Sequence, residues 1–181
     1  MGLPSSQRIV QRLVEEHYQP LYRYAYRLTG SAADAEDLTQ EAFCKAQLKL
    51  DQLRDPARAK TWLFSIARNS YLHRLRSARR QRVVSLEDMD EVSEPLPEPL
   101  PPVEPEQLQQ ALNELDEAFR TPLILYYFEE FTYRDIAEQM DLPIGTVMSR
   151  LARAKAYLRV RLLQPPAVVV ANGSRRKSDG L

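Results

Sequence analysis

The 181-residue sequence predicts an all-α protein in which two small helical domains are joined by an acidic, proline-rich linker. Apolar residues recur at three- and four-residue spacing on both sides of that linker, and no run alternates apolar with polar residues as a strand would. Six prolines fall between Glu94 and Pro105, and each fixes its own φ and removes a backbone donor. We therefore expect a first domain over residues 1–83, a linker over 84–104, a second domain over 105–165 and a disordered tail over 166–181.

Three helices are expected in the first domain. The first stops at Gly30, and the second begins at Ser31, whose side chain can cap the backbone of Asp34. The third begins at Asp55-Pro56, a cap followed by proline at the first helical position. The residues that the second and third helices are expected to bury are Ala35, Leu38, Ala42, Phe43, Ala46, Ala59, Trp62, Leu63, Ile66, Ala67 and Ser70.

The second domain is expected to contain a helix-turn-helix. One helix is predicted to open at Pro122 and the next at Thr132, which precedes Asp135 by the three residues of a capping box. A break with proline and glycine follows over residues 141–145, and a last helix comes after it. A helix, a short turn and a second helix are the layout of a helix-turn-helix. The buried stripe of the last helix is predicted to be Val147, Leu151, Ala154 and Leu158.

The overall balance of 25 basic and 25 acidic residues conceals a partition of charge. Residues 1–82 carry a net charge of +7, residues 83–117 a net of −11 and residues 118–181 a net of +4. One cysteine, Cys44, excludes an intramolecular disulfide scaffold and is expected to be a small buried residue. No apolar run approaches the length of a membrane span, so we expect a cytoplasmic chain without membrane insertion.

The last helix is the clearest candidate for a nucleic-acid contact. Between Leu142 and Leu163 it has five basic residues and no acidic residue. In a helix-turn-helix the second helix enters the major groove, and its early residues contact bases and phosphates. The candidate contacts away from the buried stripe are Thr146, Ser149, Arg150 and Arg153.

Two further charged segments have candidate functions. Residues 68–82 hold six arginines and no acid, interspersed with Asn69, Tyr71 and His73, a composition typical of single-stranded nucleic-acid binding. Asp34, Asp37 and Glu41 share one face of the second helix, with Gln40 beside them. Those carboxylates allow acid–base chemistry, a metal site or a protein interface, and the absence of a nearby histidine or nucleophile motif favours the interface.

Three segments, in this order, resemble a known family: residues 34–43 (DAEDLTQEAF), 61–69 (TWLFSIARN) and 145–155 (GTVMSRLARAK). Together they resemble the bacterial sigma-70-type sigma factors of the extracytoplasmic-function (ECF) class, over about residues 8–83 and 105–163. The resemblance implies a transcription initiation factor that joins RNA polymerase core and directs it to specific promoters, with no cofactor and no enzymatic activity of its own. It also implies an anti-sigma partner, and nothing in the sequence requires a homo-oligomer, so the free chain is expected to be a monomer.

The resemblance assigns a task to each segment. The second helix would bind the clamp helices of the largest polymerase subunit through Asp34, Asp37, Gln40 and Glu41. The third helix and the following loop would read the minus-ten promoter element through Asn69, His73, Arg74, Arg76, Arg79 and Arg80. The recognition helix, residues 144–157, would read the minus-thirty-five element through Thr146, Met148, Ser149, Arg150, Arg153 and Lys155. The upper helices of the second domain would lie near the polymerase flap, and the acidic linker would lead toward the RNA exit channel.

Two positions depart from the family pattern. His73 stands where the family often has an acid, and Met148 stands at a recognition-helix position that is frequently basic. The contact made by Met148 is therefore expected to be missing or apolar.

Two other classes of function compete with this interpretation. A stand-alone helix-turn-helix regulator would bind duplex DNA without polymerase, but it would leave the acidic face and residues 62–82 without a task and would be expected to dimerise. An enzyme with a site around Asp34, Asp37 and Glu41 would require a bound metal or an activity that depends on Asp37.

Overall fold

Seven α-helices and two short 3₁₀ turns make up residues 5–77 and 103–163, the part of the chain that a computed structural model describes. The helices are α1 (Ser5–Thr29), α2 (Ala32–Leu48), α3 (Ala59–Ser77), α4 (Pro105–Glu114), α5 (Glu117–Tyr127), α6 (Tyr133–Met140) and α7 (Ile144–Leu163). The 3₁₀ turns are Leu50–Gln52 and Pro56–Arg58, between α2 and α3. The all-α fold is confirmed, whereas the predicted tail and nearly all of the predicted linker lie outside the described residues.

The helix boundaries of the first region form at the predicted caps. Gly30 has a φ of +70°, a conformation that favours glycine, and its N–H donates to the carbonyl of Tyr26 at 2.8 Å. Ser31 Oγ accepts the N–H of Asp34 at 3.3 Å and opens α2. Asp55 caps the 3₁₀ turn that begins at Pro56 and leads directly into α3.

The predicted start of α5 is wrong. The helix begins five residues before Pro122, at Glu117, because the carboxylate of Asp116 accepts the N–H of Ala118 at 2.9 Å and caps it there. Pro122 therefore lies inside the helix, where it has no N–H for the carbonyl of Ala118. Arg150 Nη1 lies 3.5 Å from that carbonyl oxygen and supplies the missing donor.

One continuous hydrophobic core joins the two regions. The ring of Phe64 in α3 packs on Tyr24 of α1, with 5.0 Å between centroids, and on Phe131 of the second region, with 5.3 Å. The buried stripes predicted for α2, α3 and α7 face this core, but Phe43 and Trp62, which pack against it, are only partly buried. Phe43 packs on Tyr18, which is itself only partly buried, with 6.2 Å between ring centroids, and Trp62 borders a cleft.

Polar contacts also cross between the regions. Arg68 Nε in α3 pairs with Glu117 of α5 at 3.0 Å, and only 12% and 14% of the two side chains are exposed. Arg120 Nη1 donates to the carbonyl of Leu28 at 2.9 Å. Lys60 Nζ donates to the carbonyl of Glu129 at 2.6 Å. The two regions are thus held together by buried and partly buried donors as well as by apolar packing.

Candidate nucleic-acid interface

The helix-turn-helix predicted from the sequence is formed by α6 and α7. Thr132 Oγ1 accepts the N–H of Asp135 and the Asp135 carboxylate accepts the N–H of Thr132, each at 3.2 Å, which is the predicted reciprocal capping box. Asp141 ends α6 with a φ of +54°, and the N–H of Leu142 donates to the carbonyl of Ala137 at 2.9 Å. This left-handed turn fixes the direction in which α7 leaves α6.

One exposed face of α7 lies about a quarter of a turn from its buried stripe. Ile144, Met148, Ala152 and Lys155 are exposed and recur at four- and three-residue spacing, so they share one face. Of the residues predicted to contact the minus-thirty-five element, Met148 and Lys155 lie on this face. The other four, Thr146, Ser149, Arg150 and Arg153, are partly buried.

Arg150 points toward α5. Besides the contact with the carbonyl of Ala118, its guanidinium lies 5.9 Å from the centroid of the Phe119 ring. The predicted base contact at this position therefore competes with a structural contact inside the region.

The C-terminal half of α3 presents polar side chains to solvent. Asn69, His73 and Arg76, all predicted to contact the minus-ten element, are exposed, while Arg74 is partly buried. Arg79 and Arg80 lie outside the described residues. The exposed members follow one another along the helix at three- and four-residue spacing and line one side of it.

Arg74 is paired with Glu41 of α2. Arg74 Nη2 and Lys45 Nζ each lie 2.6 Å from a carboxylate oxygen of Glu41, and Lys45 also donates to Ser70 Oγ at 2.9 Å. Burial raises the pKa of Glu41, but the hydrogen bonds from Lys45, Arg74 and Ser70 outweigh it and lower the pKa to about 2. Glu41 is thus an ionised carboxylate that joins α2 to α3.

The acidic face of α2 is otherwise open. Asp34, Asp37 and Gln40 are exposed, so three of the four residues predicted to bind polymerase core are accessible. Cys44 follows on the same face and is exposed, which corrects the expectation that it is buried. It lies opposite the buried stripe that includes Ala42 and Ala46. Among the described residues, no group of three or more histidine, cysteine, aspartate or glutamate side chains is placed to hold a metal ion.

A cleft of about 680 Å³ lies between α3 and α6. Trp62, Ser65 and Asn69 line it from α3, and Glu138 and Gln139 line it from α6. Gln139 has a buried side-chain amide without a hydrogen-bond partner in the structure. The cleft therefore combines an aromatic ring with polar groups from both regions.

The sequence analysis missed the part that α6 plays in this cleft. Arg58 Nη1 and Nη2 donate to the two carboxylate oxygens of Glu138, at 3.0 and 2.6 Å, and close one side of the cleft. The two residues are 80 positions apart, and each is in an ordinary helical context. Only the packing of the two regions brings them together, so the sequence carries no local signal for the pair.

No helix in the described part of the chain is both long enough and apolar enough to cross a membrane.

The order of the two regions matches models of one protein family. Residues 13–81 match the model described as sigma-70 region 2, and residues 105–158 match the model described as sigma-70, region 4. The first match covers α2, α3 and most of α1, and the second covers α4 to α6 and most of α7.

Individual relatives agree with these matches. The chain is 35% identical to the ECF RNA polymerase sigma factor SigL of Mycobacterium tuberculosis, over 85% of this chain and 89% of SigL. It is 37% identical to the ECF RNA polymerase sigma factor SigE of Mycolicibacterium smegmatis, over 81% of this chain, and spans 59% of the length of that relative.

A solved structure has the same arrangement of helices. The sigma factor RpoE of Bartonella quintana, in complex with the anti-sigma factor NepR, superposes with a TM-score of 0.68 at 29% identity. The match covers 84% of this chain and 95% of RpoE. With both regions matched in order and a relative aligned over nearly its whole length, the chain belongs to the ECF class of sigma-70-type RNA polymerase sigma factors.

Proposed function

We propose that this chain binds RNA polymerase core in the cytoplasm and directs it to a specific set of promoters, as a monomer without cofactor or catalytic activity of its own. The observation that carries the proposal is the pairing of two regions with complementary tasks. A helix-turn-helix, whose second helix has five cations and no acid, follows a helical region with an open acidic face. A regulator that only bound DNA would leave that acidic face unused.

In this proposal α7 lies in the major groove of the minus-thirty-five element. An α-helix fits that groove, and the field of a cationic helix favours a polyanion. Met148 and Lys155 face outward, whereas Thr146 and Ser149 are partly buried on other sides of the helix. Arg150 reaches DNA by exchanging the carbonyl of Ala118 for a base or a phosphate.

The C-terminal half of α3 is assigned to the minus-ten element. Asn69, His73 and Arg76 are exposed there, and Arg79 and Arg80 extend the cationic character along the sequence. Asn69 borders the cleft that Trp62 also lines. A polar amide and an aromatic ring beside a basic segment suit an unstacked base.

The acidic face of α2 is assigned to polymerase core. Asp34, Asp37 and Gln40 are available to a basic partner, whereas Glu41 acts by holding Arg74 and Lys45. An anti-sigma partner is also proposed, since RpoE of Bartonella quintana, similar to this chain over most of its length, was solved with such a partner.

Transcription with purified components tests the proposal. Core polymerase freed of sigma factors, taken from the organism that encodes this chain, is supplied with a promoter library with and without the protein. Transcripts that begin at defined promoters only when the chain is present are the expected result. A folded chain that neither binds core in a pull-down nor yields such transcripts refutes the proposal, and DNA binding by a dimer without core would instead favour the stand-alone regulator.

Charge reversal at Asp37 tests the core interface. Asp37→Lys is expected to abolish capture of core polymerase while leaving the helical content unchanged, because the side chain is exposed. Asp51→Lys, at an exposed acid in the 3₁₀ turn after α2, is the matched control and should bind core normally. Retention of core binding by Asp37→Lys contradicts the assignment of this face.

A further inference from the structure

The outward face of α7 begins with apolar side chains. Ile144 and Met148 are 45% and 50% exposed, and Ala152 continues the same face one turn later. They border the stripe of Val147, Leu151 and Ala154 that packs into the core, but about half of each of the two larger side chains, Ile144 and Met148, is open to solvent.

The first two turns of this face carry no cation. Arg150 turns to the carbonyl of Ala118, and Arg161 pairs with Glu114 at 2.8 Å. Lys155 is exposed on the face itself, one turn beyond Ala152. The first two turns therefore offer apolar contact, while the next turn offers the positive charge of Lys155.

This combination fits one occupant, the major groove of duplex DNA. The helix carries five cations and no acid, and its positive field favours a polyanion over an apolar protein surface. Within the major groove, the 5-methyl group of thymine is the apolar feature of a base edge, and it is read by apolar side chains. At Gly145, between the two apolar residues, nothing lies within 4 Å of the position that a Cβ would occupy, so the backbone there can approach the bases.

We propose that Met148, with Ile144, reads thymine methyl groups in the DNA element held by α7, so that this part of the promoter is selected by apolar contact. The inference rests on the proposed function, in which α7 is the recognition helix. Four residues of helix rise about 6 Å, which corresponds to roughly two base-pair steps at 3.4 Å each. The two side chains therefore meet thymines that are neighbours or one pair apart, on either strand.

The test replaces thymine with deoxyuridine, which removes only the methyl group. Promoters are first selected from a random library by holoenzyme assembled from core polymerase and the full chain. Each thymine of the selected upstream element, on both strands, is then replaced singly, and holoenzyme affinity is measured by competition binding. At one or two positions, wild-type holoenzyme is expected to bind the deoxyuridine duplex about fourfold more weakly, the factor for one buried methyl group.

Met148→Ala separates a direct contact from a change in DNA shape. The variant should bind the thymine duplex several-fold more weakly than wild type does and should no longer distinguish thymine from deoxyuridine at the sensitive position. Val160→Ala is the matched control, because Val160 is an exposed apolar residue of the same helix, three turns away, and should keep the wild-type discrimination. Both positions are exposed, so both variants are expected to fold, and circular dichroism checks this.

The remaining outcomes separate the inference from the function on which it rests. A selected element without thymine, or one whose thymines all tolerate deoxyuridine, overturns the inference while leaving promoter selection intact; the apolar face would then suit a protein partner. Equal discrimination by wild type and Met148→Ala overturns the assignment to Met148. Failure to form holoenzyme or to select any promoter overturns both the inference and the proposed function.

Discussion

The Glu41 carboxylate forms ion pairs with two side chains, Lys45 of its own helix and Arg74 of α3. The family resemblance implies that Glu41 belongs to the polymerase interface and Arg74 to the promoter interface. Their ion pair links these two candidate interfaces within one region. A substitution at either residue is therefore expected to affect the position of the other.

Replacing Glu41 by Gln is expected to lower the free energy of unfolding at pH 7 by about 1 kcal/mol, the upper end for a partly exposed ion pair. The pKa of Glu41 lies at about 2 in the folded chain, against an ordinary value of 4.5. Because the folded-state pKa is depressed, ionised Glu41 stabilises the fold above pH 4.5, and this contribution is lost as the pH falls toward 2. Urea unfolding of wild type and variant at pH 7, 5 and 3.5 should show the difference narrowing only below pH 4.5.

Glu36→Gln is the control for this experiment. Glu36 is an exposed acid on the same helix, and its replacement should leave stability nearly unchanged. A Glu41→Gln variant that is as stable as Glu36→Gln at pH 7 would contradict the structural role given to the cluster.

Gly30 is a second position at which one residue constrains the chain. It has a φ of +70°, and a Cβ built there would lie 2.6 Å from Nδ2 of Asn113, across the boundary between the two regions. Gly30→Ala is expected to cost about 2 kcal/mol, partly backbone strain and partly displacement of Asn113. Thermal unfolding in an Asn113→Ala background isolates the backbone part and should show a smaller loss.

Gly145→Ala is expected to change stability in the opposite direction. Gly145 lies in α7 with nothing within 4 Å of the Cβ position, so alanine should raise stability by up to about 1 kcal/mol through helix propensity. If the two glycine variants were equally destabilising, the left-handed conformation of Gly30 would not be the cause.

Among the helices, α6 depends most on its cap because it is only eight residues long. Thr132→Ala removes one half of the capping box and is expected to cost about 1 kcal/mol of stability. Ser31→Ala, at a cap with a single side-chain bond in front of the longer α2, is the comparison and should cost less. Chemical unfolding monitored by circular dichroism measures both, and a larger loss at Ser31 would contradict the ranking.

Local signals predicted most of the elements because caps and apolar spacing act over three or four residues. The Ser31, Asp55 and Thr132 caps and the break after Met140 could all be read from the sequence. The start of α5 predicted at Pro122 was wrong because Asp116, six residues earlier, caps the helix. Arg150, distant in sequence, supplies the donor that the proline lacks. The burial expected of Cys44 rested on its residue type, whereas its position four residues after Gln40 places it on the acidic face of α2.

At the scale of the whole molecule, the contacts between the two regions could not be predicted from the sequence. Arg68 belongs to a basic segment that suggests nucleic acid, yet it faces inward and pairs with Glu117 at 3.0 Å. Arg58 and Glu138 form an exposed pair at the edge of the cleft. This pair should stabilise the contact between the regions much less than the Arg68–Glu117 pair does, because solvent screens it. The joint between the regions therefore rests more on the buried pair than on the exposed one.

Glu117→Gln tests this ranking. The substitution leaves the Arg68 charge buried without its counter-charge, which is expected to cost about 3 kcal/mol. Two readouts distinguish the ways in which the chain can respond. If the regions separate, the radius of gyration measured by small-angle X-ray scattering should increase while helicity is retained. If they stay joined, chemical unfolding should show a lower free energy of unfolding.

Two control variants accompany Glu117→Gln. Glu106→Gln removes an exposed acid from the first turn of α4 and should change neither measurement by a comparable amount. Arg58→Glu should have a much smaller effect on the free energy of unfolding than Glu117→Gln, and adding Glu138→Arg should reverse it. If Glu117→Gln left both the radius of gyration and the unfolding free energy unchanged, the buried pair would not hold the regions together, and the apolar contact of Phe64 with Phe131 would have to account for the joint.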